Sequence, residues 1–495
     1  MSKLYKFTLI LFSICLMITL VVPQEITHAT TNDTNHSTKL VIHKVTGDSV
    51  KKGNFNQLRG KETPGGTPIS NITFTPWRVD EADYNTMMAD KGGNYDTNEE
   101  VSKLPSAKKL GDVTTGTNVE GEGTAIINDL EEGLYWFVEK ESAIVEASHA
   151  VPFGLALPFT KEDGSGYMDV LHVYPKNTLA PTPTIDETIS GGINGKTISA
   201  DIGQNIVWNI QPTVPRGIEE YHNYTIVSRI HNHLDFDKKS VIVNYNGTTL
   251  VKDSDYTLSF STETRELTVK IQKAGLEKIG ATWKDSDDLS SLNITMNTHI
   301  NDRAAMGHSI ENTSKLTFDN GHGIRATTTV GTPPSVHTGG KKFVKMDENL
   351  DENGKKVVLS GAKFVILNND GKYVKQNQEN HDVTWVDKQA EATIFTSNEK
   401  GAFEVRGLAY SKVDGDNVIP YKLKEIEAPN GYALPTETIA TFVVDANSYS
   451  DNALEVVNKK ITIPDTGGTG TILFTVVGLA LMVLALVLIR RRRQA

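Results

Sequence analysis

Short runs in which Val, Ile, Leu, Thr, Tyr and Phe alternate with polar residues recur along most of the chain, broken by Gly, Asn, Asp and Pro. Successive side chains of an extended strand point to opposite sheet faces, so each run reads as a strand with one buried face. Leu40–Val45, Ile206–Ile210, Tyr256–Phe260, Leu267–Ile271 and Ala440–Val444 are examples. Sustained helical periodicity is scarce, with Ala274–Ile279 a short candidate. The pattern predicts an all-β chain of antiparallel β-sandwiches. At 495 residues it is too long for one ordinary domain. Pro-rich stretches at Ala180–Thr184 and Gly331–Ser335 read as linkers and set off three tandem modules.

The ends say where those modules reside. Lys3 and Lys6 precede an apolar run, Phe7–Val22, and Thr27, His28 and Ala29 follow with small residues where a signal peptidase cuts. Residues 1–29 therefore read as a secretory signal, removed after Ala29. At the other end, Thr471–Ile489 carries no charge and is long enough to cross a bilayer. Arg490–Arg493 follow directly, and clustered arginines stay on the cytoplasmic side. The chain is thus exported and held by its tail, with its bulk outside. Its single cysteine, Cys15, lies in the signal, so the mature chain cannot use disulfides, the usual extracellular staple. Reinforcement has to come from other chemistry. The formal net charge is −11, with no basic patch except the tail, which argues against nucleic acid as a partner.

Directly before the apolar tail stands Ile463-Pro464-Asp465-Thr466-Gly467. With the helix and the arginines after it, this resembles the Leu-Pro-x-Thr-Gly sorting signal of sortase substrates, with Ile463 in place of Leu. The resemblance implies that a sortase cysteine attacks the Thr466 carbonyl, releases the part beginning at Gly467 and passes Thr466 to an amine. Val173-Tyr174-Pro175-Lys176 resembles the pilin motif whose lysine is that acceptor, with Tyr167 where the family has Trp and Leu171 where it has Val. Strand alternation adds a separate argument. If Asn177 faces the core with Leu171 and Val173, Lys176 faces solvent.

The run from Tyr421 through Leu423 and Glu425 to Ala428, Pro429, Gly431 and Tyr432 resembles the pilin E-box, with Ile426 in place of the usual Thr. Tyr421, Leu423 and Glu425 share one strand face, and Lys422 and Lys424 share the other, so Glu425 points into an apolar core. A buried, unpaired carboxylate is costly and tends to stay protonated. Lys345 lies on a strand face with Phe343, and Asn458 shares one with Leu454 and Val456. Together they resemble the isopeptide triad of collagen-adhesin B-type (CnaB) domains. There a neutral lysine attacks the asparagine amide, the protonated acid assists, and ammonia leaves. The first module repeats the pattern. Leu40, Ile42 and Lys44 share a face, Tyr135 and Glu139 have the spacing of Tyr421 and Glu425, and Asn177 ends the module. The expected bonds are Lys44–Asn177 assisted by Glu139 and Lys345–Asn458 assisted by Glu425. In the middle module, resemblance places the lysine at Glu187 and the acid at Ser228. Only the asparagine, Asn312, remains, and no bond is expected there, unless Lys196 serves as the lysine.

His231-Asn232-His233 has a nuclease-like look without supporting ligands, and reads as surface strand. Asn349–Gly354 begins like a calcium loop, but Ser360 stands where the closing Glu belongs, so Asn353-Gly354 reads as a hairpin turn. No metal and no cofactor is expected.

The chain as a whole resembles the major subunit of a sortase-assembled Gram-positive pilus. The expected division is signal 1–29, an N-terminal CnaB-like pilin domain 30–179, a middle pilin sandwich 185–330, a C-terminal CnaB domain 338–462 and the sorting signal 463–495. All three modules are expected to be Ig-like or CnaB-type sandwiches. The implied partners are a pilus-specific class C sortase, a housekeeping sortase, identical subunits, minor pilins, peptidoglycan and host ligands. A monomeric wall-anchored adhesin would need the sorting signal but not Lys176. A tip pilin would usually carry an Asp-x-Ser-x-Ser metal motif, which Asp163-Gly-Ser165 only approaches, and a basal pilin is the further alternative.

Overall fold

The computed structural model describes residues 36–47, 65–90, 93–145, 152–161, 163–283, 291–414, 417–436, 439–460 and 470–493. The signal at 1–29 and the motif Ile463–Gly467 lie outside these residues. The chain separates into two units, Met1–Leu179 and Ala180–Ala495.

The principal strands of the first unit are β1 (Thr38–His43), β2 (Val45–Thr46), β3 (Thr73–Val79), β4 (Gly121–Leu130), β5 (Gly133–Glu139), β6 (Phe153–Leu157), β7 (Val170–Val173) and β8 (Lys176–Asn177). In one sheet β1 pairs with β4 antiparallel and with β7 in parallel, so the opening strand lies beside a closing one. The short pair β2–β8 extends that parallel neighbourhood. A second sheet runs β3–β5–β6. Lys44 falls between β1 and β2, and its N–H bonds to the Gly123 carbonyl.

Strand β5 is buried on both faces. Phe137 stacks on Phe153 at 4.6 Å, while Trp136 and Val138 cluster with Met87 and Val101. Met87 belongs to helix α1 (Glu81–Ala89), which the alternation did not announce. The local signal for it is the cap: the Asp80 side chain accepts from the Asp83 N–H, and Glu81 and Asp83 are acidic in the first turn. Met87 alone is buried along α1, so no apolar stripe advertises it.

In the second unit, β9 (Ile185–Ile189), β10 (Asn205–Pro212), β11 (Asn223–Arg229), β12 (Leu234–Tyr245), β13 (Glu266–Ile271), β14 (Leu292–Ile300) and β15 (Thr313–Asp319) build two facing sheets. One runs β9–β10–β14–β12, and β11 lies between β13 and β15 in the other. Strict alternation of buried and half-buried residues along β14 shows how the pattern becomes a one-sided strand. Trp208, Tyr224, Ile226, Ile294, Met296 and Leu316 fill the space between. The Trp208 Nε1–H donates to Thr298 Oγ1 at 2.8 Å, so its polar edge is satisfied. The short helical candidate falls within α2 (Lys273–Ala281).

One linker expectation is corrected here. Ser335, at the end of the second Pro-rich stretch, begins a strand, Ser335–His337, that pairs with Thr197–Ser199 in parallel and with Ser309–Glu311 antiparallel. Pro333 and Pro334 lack an N–H and stay outside the ladder, but the residues after them supply both donor and acceptor to it.

The rest of the unit contains β16 (Gly339–Leu350), β17 (Lys363–Leu367), β18 (Ala402–Leu408), β19 (Tyr421–Glu427) and β20 (Leu454–Asn458). Strand β16 pairs with β18 antiparallel and with the closing strand β20 in parallel, as β1 does with β4 and β7. Strand β17 pairs with β19. Phe343, Phe403 and Phe364 stack at 4.8 and 4.5 Å in its core. Gly354 has φ 75° in the hairpin turn after β16. Helix α3 (Gly470–Arg492) is long and apolar enough to cross a membrane and buries nothing against the protein.

Gly401 has φ +70°, and a Cβ there would stand 2.5 Å from the Lys345 carbonyl oxygen. Gly401→Ala is therefore expected to destabilise this part of the chain by about 1–3 kcal/mol. A lowered denaturant midpoint in circular dichroism would show it, and an unchanged midpoint would remove the argument.

Candidate functional site

Among the described residues, three buried centres set an asparagine amide against a glutamate. In the first, the Lys44 side chain runs inward from the break between β1 and β2 and is 1% exposed. Its Nζ donates to Glu139 Oε2 at 2.6 Å. Asn177 Nδ2 donates to Glu139 Oε1 at 2.5 Å, so the carboxyl group bridges amine and amide. Desolvation by burial draws the Lys44 ammonium below its ordinary value, against the pull of Glu139. On β8 the adjacent Lys176 is exposed while Asn177 is buried, as parity predicts for neighbours on one strand. Partial desolvation lowers the Lys176 pKa as well.

The centre in β16, β19 and β20 brings together Lys345, Glu425 and Asn458. Lys345 Nζ donates to Asn458 Oδ1 at 2.6 Å, and Asn458 Nδ2 donates to Glu425 Oε1 at 2.8 Å. The lysine and glutamate stand 3.5 Å apart. Burial pushes the lysine down and the glutamate up, so both shifts favour the neutral forms. The parallel pairing of β16 and β20 explains the meeting, because it sets Lys345 opposite Val456, two residues before Asn458.

The surrounding E-box residues frame this centre. Tyr421 donates to the Ala409 carbonyl at 3.0 Å and stacks between Trp385 and Phe442. Leu423 is buried in the core cluster. The chain turns at Ala428–Gly431, with Gly431 at φ 86° and the Tyr432 N–H bonded to Pro429 O. Tyr432 then donates to Asp347 Oδ2 at 2.6 Å, tying the turn to β16.

The middle centre is built from the residues that stand where the lysine, acid and asparagine are expected. Glu187 and Asn312 are 0% exposed and Ser228 is 1% exposed. Asn312 Nδ2 donates to Glu187 Oε1 at 2.5 Å and to Ser228 Oγ at 2.9 Å. Lys196 does not enter: its Nζ donates to Asp186 Oδ1 and to the Glu187 backbone carbonyl, both at 2.5 Å. Glu187 Oε2 and Asn312 Oδ1 have no hydrogen-bond partner. Burial pushes the Glu187 carboxyl from its ordinary 4.5 up to about 7, with the Asn312 hydrogen bond opposing.

Asp201 carries a role that periodicity does not reveal. Its Oδ1 accepts from the Ala409 N–H at 2.7 Å and its Oδ2 from Trp385 Nε1 at 2.8 Å. This ties the sandwich of β9–β15 to that of β16–β20, and a lone Asp between Ala200 and Ile202 has no pattern to single it out. Among the described residues, no group of three or more His, Cys, Asp or Glu could hold a metal ion.

Comparison with known proteins places these centres in context. Residues 35–178 match the family described as Gram-positive pilin subunit D1, N-terminal domain. Residues 187–332 match the Sgo0707 N2 domain, and 342–460 match SpaA, a prealbumin-like fold domain. Residues 455–495 match the LPXTG cell wall anchor motif. The fimbrial subunit type 2 of Actinomyces naeslundii is 26% identical over 505 residues, covering 92% of this chain and 90% of that protein. The full-length RrgB pilus protein of Streptococcus pneumoniae shares the fold at a TM-score of 0.52 and 19% identity, over 88% of this chain and 100% of that one.

The middle centre yields a pH prediction. From about pH 4.5 to about pH 7 the folded state keeps a Glu187 proton that the unfolded chain has released. Stability of this part should therefore fall as pH rises through that window, by up to about 1.4 kcal/mol per unit. Denaturant titrations across the window would reveal the slope, and Glu187→Gln should flatten it. An equal slope in the variant would exclude Glu187 as its source.

Proposed function

We propose that this chain, a sortase-assembled pilin of Gram-positive bacteria held at the surface by its cell-wall anchor sequence, is the major subunit of a covalent fibre. Each copy would be joined through Thr466 to Lys176 of the next. The observation that carries this reading is the strand β8, which exposes Lys176 while burying Asn177 beside it. The described geometry supports three modules for the ectodomain, near 30–179, 185–330 and 338–462, with Ser335–His337 completing the middle one.

In the polymerising reaction, a pilus-specific class C sortase attacks the Thr466 carbonyl with its thiolate. The Thr466–Gly467 peptide bond breaks, and an acyl-enzyme thioester forms. The Lys176 amine of the next subunit then attacks that thioester, forming an amide and returning the thiol. A housekeeping sortase passes the last Thr466 to an amine of the peptidoglycan precursor.

Within each subunit, the two amine-bearing centres would close covalent staples. The uncharged Lys44 or Lys345 Nζ attacks the side-chain carbonyl carbon of Asn177 or Asn458. A C–N bond forms, the bond to Nδ2 breaks, and ammonia leaves. Glu139 or Glu425 supplies a proton to the amide and recovers one from the amine. Burial supports each step, because it favours an uncharged lysine at both centres and a protonated carboxyl at Glu425. The middle centre would stay open for want of an amine. The staples oppose unfolding as disulfides do elsewhere, by restricting the unfolded chain.

Two measurements check this reading. Wall material released by a muralytic enzyme should give a high-mass immunoblot ladder that survives boiling in detergent and collapses to one species in Lys176→Ala. A ladder in both strains would move the acceptor to another lysine, and one band in the wild type would leave a monomeric wall-anchored adhesin or a minor pilin. Recombinant Thr30–Thr466 should weigh less than its sequence by two ammonia masses, with Lys44→Ala and Lys345→Ala each abolishing one of the losses. A third loss would show that the middle centre also closes.

A further inference from the structure

The proposed linkage decides where tension runs. A subunit joined at Lys176 and Thr466 carries load only through the chain between them, and the chain before Lys176 bears none of it. Load enters the last module close to β16 and leaves it at β20. There Lys345 Nζ and Asn458 Oδ1 already stand 2.6 Å apart. A bond between those side chains passes the load around all that lies between them.

The middle module offers no such detour. Glu187 lies on β9, in one sheet, and Asn312 directly precedes β15, in the other. A carboxyl group, an amide and a hydroxyl meet there, held by hydrogen bonds of 2.5 and 2.9 Å. Lys196, the one amine the sequence offered for the role, is committed to Asp186 and a backbone carbonyl. The exit strand is slight as well. Ser335–His337 is fastened to Thr197–Ser199 and Ser309–Glu311 through three register pairs each. Nothing covalent therefore resists separation of the two sheets.

From this arrangement we infer that the middle module is the extensible element of the fibre, opening under tension while the last module stays closed. The inference rests on the proposed linkage through Lys176. It assigns the last module rigidity and the middle one compliance. The residues that differ between them are Glu187 and Ser228, where the other centres carry an amine and an acid.

Pulling single ectodomain monomers tests this directly. The mature chain has no cysteine, so Lys176→Cys provides a unique thiol handle, with a second handle placed after Thr466. One opening event is expected, lengthening the chain by roughly 500 Å for residues 185–337 at about 3.3–3.6 Å each. Adding Lys345→Ala should create a second, shorter event. A wild-type-centre molecule that shows both events, or none before the handle fails, overturns the inference. Because monomers are pulled, a missing polymer ladder would strike the linkage through Lys176, whereas a wrong event count would strike the assignment of compliance.

Discussion

Everything in the outer modules depends on holding a lysine out of water where the opening and closing strands run side by side. Taking an ammonium or a carboxylate into a low-dielectric core costs several kcal/mol per ion. At Lys44 and at Lys345 that cost is offset by a carboxyl and an amide within hydrogen-bond reach. The parallel pairings β1–β7, β2–β8 and β16–β20 make the meeting possible, because they bring chain segments remote in sequence to one point. With Cys15 as its single cysteine, the chain cannot tie such segments together by an internal disulfide.

The middle module shows what the same position becomes when the amine is replaced by a carboxyl group. Glu187 occupies a fully buried site, as Lys44 and Lys345 do. Without a cation to face, it satisfies one oxygen on Asn312 and leaves the other without a partner. A charged carboxylate would be expensive there, so the proton stays on to a higher pH than in water. Asp201 links this module to the last one through Trp385 and Ala409, so the boundary between them is a set of defined hydrogen bonds rather than a loose hinge. The three-pair strand Ser335–His337 closes the middle module on its own residues just before that boundary.

Much of this architecture is legible in the amino-acid sequence. Alternation locates the strands because a sandwich buries one face of each, as along β14. Parity puts Lys44, Lys345, Glu425 and Asn458 on faces with apolar neighbours, Glu139 is reached by its likeness in spacing to Glu425, and the structure buries all five. Helix α1 is not legible, since it buries only Met87 and its one strong signal is a capping aspartate. The role of Ser335–His337 is hidden by the prolines before it, which mark a break but carry no information about the pairing of the next residues. Asp201 and Gly401 are invisible for a different reason. Their importance comes from partners far away in the chain, Ala409 and Trp385 for one and Lys345 for the other.

Lys176 and Asn177 share a strand only two residues long. Asn177 reaches Glu139 only when that strand has docked beside Val45 and Thr46, at the end of the module. The exposed Lys176 side chain and the Asn177 side chain sealing the core are therefore set by one event. Under the proposed linkage, a copy whose first module has not closed would present its amine on an undocked tail, outside the geometry an enzyme could recognise. Assembly would then proofread folding, adding to the fibre only those copies whose final strand has found its place.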